Sequence, residues 1–189
     1  MKSPSCYLYV LPLAYEDILK IGISHDPLAR AQAFSRRYYE FFDLPRSLLV
    51  EFDGRREAQA RETQLHRRLC ELNAMQPLTV PARAAGGTEW YRGAYETVRG
   101  EIERDLAAGH RGHAGGIDWW RGRLQDQREA LFEWATQAFR DDVPGALPVA
   151  GRHALLADAL DAYACLDVAL EGALPAEVEA WYRRHRQAG

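Results

Sequence analysis

Residues 6–11 (CYLYVL) and 19–24 (LKIGIS) are two short runs of strand character, and their alternation constrains what can cover each face. In the first run Leu8 and Val10 oppose Tyr7, Tyr9 and Leu11. In the second, Leu19, Ile21 and Ile23 oppose Lys20, Gly22 and Ser24. If the runs pair antiparallel with their aliphatic sides buried on helices, the opposite face gathers two tyrosines, a lysine, a bare glycine and a serine. A glycine in mid-strand weakens the strand and marks close approach by a ligand or another backbone.

The rest of the chain extends this pattern. Asp26-Pro27 opens a helix, with Asp as cap and Pro in the first turn, running to about Tyr39. Residues 46–52 (RSLLVEF) read as a third strand closed by the turn pair Asp53-Gly54. A long helix is expected over about 55–73, then an irregular stretch from Gln76 to Gly87, then a helix over about 91–108. The glycine-rich residues 109–116 (GHRGHAGG) read as a linker, and helices are expected beyond it over about 118–140, 151–171 and from Pro175. The expected class is α+β. A small three-stranded antiparallel sheet flanked by helices occupies 1–108, and an all-helical region follows over 117–189.

Composition narrows the function classes. With 47% apolar and 27% charged residues the chain can bury a core, and no run approaches the roughly 18 apolar residues of a membrane helix. Its 24 basic and 27 acidic side chains give a net charge of −3, so it is not a basic coat for duplex nucleic acid, and any such contact is local. Lysine occurs only at Lys2 and Lys20. Cys6, Cys70 and Cys165 form no CxxC pair, which argues against a disulfide framework or a cysteine zinc site and fits a cytoplasmic location. The start of the chain reads as a strand rather than an export signal, because Tyr7, Tyr9 and Leu11 alternate with Leu8 and Val10.

One polar residue stands out. On the 55–73 helix Ala58, Leu65, Leu69 and Leu72 form an apolar stripe, and Glu62 falls in its gap with His66 one turn further. A carboxylate bordering a core face is costly unless it is paired or binds a cation. Taken with Tyr7-Leu8-Tyr9, Lys20-Ile21-Gly22-Ile23-Ser24, Arg30, Glu62-x-x-Leu65-His66 and Glu89-Trp90-Tyr91, the chain resembles the GIY-YIG nuclease superfamily. It is most similar to a phage and bacterial branch with KIG in place of YIG. The resemblance spans about residues 5–105.

That resemblance implies hydrolysis of DNA phosphodiester bonds, with RNA as the other polymer, and a divalent cation, Mg2+ or Mn2+, on Glu62. Arg30 matches the arginine that stabilises the phosphate. Tyr9 matches the first-motif tyrosine that orients or deprotonates water, with Tyr7 close enough to take that place. Lys20 replaces the second tyrosine and departs from the wider family. His66 is implied as a partner of Glu62 or a proton carrier, Gly22 and Ser24 as substrate contacts, and Glu89 as part of the closing motif. No residue is matched to the late asparagine of many members, because Asn73 sits near its helix end. The rival readings are a catalytically inactive nucleic-acid-binding or scaffolding module and, further off, a toxin or effector. The helical region is expected to serve self-association, a protein partner or substrate selection. His110 and His113, the pair Trp119-Trp120, Trp134, and Arg183, Arg184 and Arg186 are read as ordinary packing or surface features.

Overall fold

A computed structural model describes residues 5–84, 87–139 and 149–188. Two antiparallel strands, β1 (Cys6–Pro12) and β2 (Ile18–Ser24), open the chain. Asp26 caps helix α1 (Pro27–Phe34) by accepting from the Ala29 N–H, and Pro27 fills the first turn. This helix stops at Phe34 rather than Tyr39, and a single turn, α2 (Tyr38–Phe41), follows. Strand β3 (Leu48–Phe52) and helix α3 (Arg55–Arg68) come next. Short strands β4 (Asn73–Ala74) and β5 (Trp90–Arg92) precede helix α4 (Tyr95–Ala107).

The sheet has six strands rather than three, in the order β4-β5-β2-β1-β3-β6, all antiparallel. The sixth, β6 (Arg111–Ala114), lies in the stretch expected to be a linker and pairs with β3 from Leu48 to Glu51. Its glycines serve a strand. Gly109 and Gly115 have φ of +101° and +102°, the left-handed turns by which the chain enters and leaves it. A Cβ at Gly112 would collide with the Leu49 carbonyl, so the close approach to β3 needs glycine.

One face of the sheet builds the core. Leu8, Val10, Ile21, Leu48 and Val50 pack with Ala58, Leu65 and Leu69 of α3 and with Val98 and Ile102 of α4. An ion-pair cluster fastens the two helices. Glu101 of α4 meets Arg61 at 3.0 Å, Arg104 at 2.8 Å and Arg68 at 2.5 Å, and Arg61 also reaches Asp105 at 2.8 Å. Burial would raise the Glu101 carboxyl, but the three guanidinium groups outweigh it and hold the carboxyl below its usual range.

The chain divides into two compact units between Trp119 and Trp120. The second is helical among its described residues. Helix α5 (Ile117–Asp126) spans the division, and α6 (Arg128–Ala138), α7 (Val149–Cys165) and α8 (Ala176–Ala188) follow. The expected single helix over 118–140 breaks at Gln127, and residue 140 lies outside the described residues. Trp120, Leu124, Leu131, Leu156, Leu160 and Val178 are buried. The Tyr163 hydroxyl donates to the Leu124 carbonyl at 2.9 Å. No helix among the described residues is long and apolar enough to cross a membrane.

Candidate functional site

The site lies where the sheet is left incomplete. Strand β5 pairs with β2 only over Ile18–Lys20, so the later part of β2 is open apart from the Ile21 N–H donating to the Glu89 carbonyl. At this gap side chains from the two faces of the sheet come together.

From the face opposite the core come Tyr9, Lys20 and, on α1, Arg30. Tyr9 is only 1% exposed and its ring lies across Gly22, its partner in register. A Cβ at Gly22 would fall on the Tyr9 hydroxyl. The bare glycine is therefore accounted for by the tyrosine ring. Arg30 Nε donates to the Tyr9 hydroxyl at 3.3 Å, and its guanidinium sits 4.5 Å from the Phe34 ring centroid. Burial pushes the Tyr9 phenol up to about 12, against the lowering pull of Arg30.

Lys20 is fully buried and donates to Glu89 Oε2 at 2.6 Å, with its ammonium 5.7 Å from the Trp90 ring and 5.8 Å from that of Phe34. Burial lowers its pKa, and the hydrogen bond and charge of Glu89 oppose that shift. Glu62 arrives from α3. It is 5% exposed and accepts from Gln59 Nε2 at 2.5 Å, while its Oε1 lies 3.7 Å from His66 Nε2. The charges of Glu62 and Glu89 both bear on the Tyr9 phenol and on Lys20.

His66 is held by Tyr91, whose hydroxyl lies 2.7 Å from Nδ1 and whose ring stacks on the imidazole. Its Nε2 is buried and makes no hydrogen bond. With the proton on Nδ1, Nε2 is left as a lone-pair donor facing Glu62. Ligand atoms of Glu62, His66 and Glu89 all lie within 4.8 Å of one another.

The structure thus gathers Tyr9, Lys20, Arg30, Glu62, His66 and Glu89. It does not bring Tyr7 or Ser24 into that group. The Tyr7 ring packs against Trp119, and Ser24 Oγ forms a local turn with the backbone of Asp26 at the start of α1. Sequence reasoning passed over Gln59, gave Tyr91 no role beyond its motif, and declined Asn73. Gln59 was findable at i,i+3 from Glu62, and Tyr91 belongs to the Glu89-Trp90-Tyr91 motif. Asn73 lies on β4, and its side-chain amide donates to the carbonyls of Thr88 at 2.5 Å and Trp90 at 3.2 Å, bracketing Glu89. Nothing in the sequence marks that bracket.

These features define an α+β domain with a charged, aromatic-lined site at an open sheet edge. Residues 6–104, more than half of the chain, match the T5orf172 domain, and the chain belongs to that family. Comparisons with curated proteins and with solved structures found no match.

Proposed function

We propose that the chain is a metal-dependent endonuclease of GIY-YIG type that hydrolyses DNA phosphodiester bonds. The convergence of Arg30, Tyr9 and Lys20 with the Glu62–His66–Glu89 group on one sheet edge carries this reading. The association of the T5orf172 domain with nuclease-like proteins supports it.

Arg30 presents a planar guanidinium to the phosphate, and its donors serve best where charge develops on the phosphoryl oxygens. Tyr9 keeps its proton at neutral pH, because its phenol is pushed up to about 12. Its hydroxyl therefore positions the attacking water by hydrogen bonding rather than taking the water's proton unaided. Lys20 holds Glu89 at the edge, as the bracket made by Asn73 does from the other side. Two carboxylates and an imidazole nitrogen without a hydrogen bond are a donor set that fits Mg2+ at the oxygens and Mn2+ at all three. Glu62, His66 and Glu89 would hold the cation, which would supply Lewis-acid polarisation of a phosphate oxygen.

The test is cleavage of labelled single-stranded, duplex and branched DNA, and of RNA, with Mg2+ or Mn2+ and with chelator. Cleavage is expected with metal alone, and Glu62→Gln abolishes it while its circular dichroism matches wild type. Wild-type cleavage by Glu62→Gln overturns the metal site. Binding without cleavage of any substrate assigns the fold to a non-catalytic nucleic-acid-binding module.

A further inference from the structure

The face that carries Tyr9 continues toward β6, and strand register fixes which residues lie side by side. Gly22, Tyr9, Leu49 and His113 form one row, and Ser24, Tyr7, Glu51 and Arg111 form the next. Tyr7 stands two residues from Tyr9 on that face, about 7 Å along the strand. Its half-buried ring meets Trp119, also half-buried, edge to face with centroids 5.6 Å apart.

Trp119 is placed by backbone contacts. The N–H groups of Gly115 and Gly116 both donate to the Ser47 carbonyl, at 3.2 and 3.0 Å, and the Trp119 N–H donates to the Gly116 carbonyl at 3.0 Å. A Cβ at Gly116 would come within 2.9 Å of Ser47 Oγ, so this seat needs glycine. The two rings line an open cleft of about 480 Å³ together with His110, Arg111 and His113. Arg111 Nη2 donates to Glu51 at 2.7 Å, which orients the guanidinium there.

We propose that this cleft is a substrate subsite in which an unpaired nucleobase stacks on Tyr7 and Trp119, making the substrate a single-stranded nucleic acid or the single-stranded part of a branched one. The inference rests on the nuclease reading above. A stacked strand rises about 3.4 Å per nucleotide, so the 7 Å between Tyr7 and Tyr9 corresponds to about two nucleotides. Tyr7 and Tyr9 share one face of β1, so a strand laid along that face runs from the rings toward Tyr9. Arg111, held by Glu51 in the wall of the cleft, has further N–H groups to offer the phosphate beside that base. A duplex hides the base faces that stacking requires and is bound through many phosphate contacts. Residues 1–110 carry equal numbers of basic and acidic side chains and offer no such coat.

The test uses the full chain and a fluorescein-labelled 20-nucleotide single strand with Ca2+ in place of the catalytic metal, beside a blunt duplex of the same sequence. Trp119→Ala is expected to weaken single-strand binding by roughly five- to a hundredfold, the range for losing one stacking aromatic. Trp119→Phe recovers most of the affinity. A 5-bromouracil-substituted strand irradiated on wild type is expected to crosslink to Tyr7 or Trp119, which reads the subsite without a mutation. Unchanged binding by Trp119→Ala, or crosslinks only elsewhere, overturns the subsite. Wild-type hydrolysis of bis(p-nitrophenyl) phosphate, too small to reach the rings, reports separately on the nuclease reading. If that diester is hydrolysed while the subsite tests fail, the subsite alone falls. If wild type neither hydrolyses the diester nor cuts any polymer, the nuclease reading falls as well.

Discussion

Gly22→Ala tests the logic of the site through stability rather than catalysis. An added Cβ would lie 2.5 Å from Tyr9 Cζ and 3.1 Å from its Cε2, and would fall on the hydroxyl. The ring cannot swing into solvent, because Tyr9 is 1% exposed and is tied to Arg30. Overpacking of this kind costs about 1–3 kcal/mol. Removing a strand glycine returns about 0.5–1 kcal/mol of that through backbone entropy. The net loss is therefore about 0–2.5 kcal/mol, read by urea unfolding followed by far-ultraviolet circular dichroism. The decisive comparison is a double-mutant cycle with Tyr9→Leu, whose side chain ends short of the clash. In that background Gly22→Ala is expected to be neutral or slightly stabilising, giving a coupling energy of about 1–3 kcal/mol. Equal effects in the two backgrounds, and so a coupling energy near zero, refute the claim that Gly22 exists to seat Tyr9.

Arg30→Lys is expected to lower kcat roughly a hundredfold or more while changing substrate affinity only modestly, because lysine keeps the charge but not two fixed donors. Near-normal turnover in single-turnover kinetics would reduce Arg30 to a charge that guides substrate. Tyr9, Tyr91 and Tyr163 are each pushed up to about 12, in each case chiefly by burial. The unfolded chain releases these protons near pH 10 and the folded chain near 12, so their stabilising contribution is complete below pH 10 and lost as pH rises through 12. Denaturant midpoints should fall over that window, less steeply in Tyr9→Phe, and a flat profile would count against burial as the cause.

The three strands with clean alternation were legible, since Leu8, Val10, Ile21, Leu48 and Val50 announce a buried face by their spacing. Strand β6 was not, because Arg-Gly-His-Ala has no β-branched residue and its glycines read as flexibility. Their actual use, close approach to β3 and left-handed turns on either side, depends on a partner far away in sequence. The Glu89-Trp90-Tyr91 segment concealed strand β5 for a similar reason. Gly93 at φ +66° separates it from helix α4, which starts at Tyr95. Helix α3 ends at Arg68, and Leu72, read as part of its apolar stripe, is 38% exposed beyond it. In the site, Glu62 was conspicuous as a carboxylate on a core face. The Lys20–Glu89 pair and the bracket made by Asn73 join residues whose spacing carries no periodic signal.

Strand β6 also alters where this domain can be cut. The family match ends at residue 104, yet the sheet is finished by Arg111–Ala114. A chain shortened to end at residue 108 would keep all the residues gathered at the open edge of β2. It would also strip β3 of its outer neighbour and leave the backbone groups that β6 pairs, along Leu48–Glu51, exposed on a largely apolar strand. Such a bare rim templates pairing with other copies and invites aggregation. Four residues without strand character in their sequence thus act as the selvage of the sheet, keeping the first unit of the molecule from fraying into its neighbours.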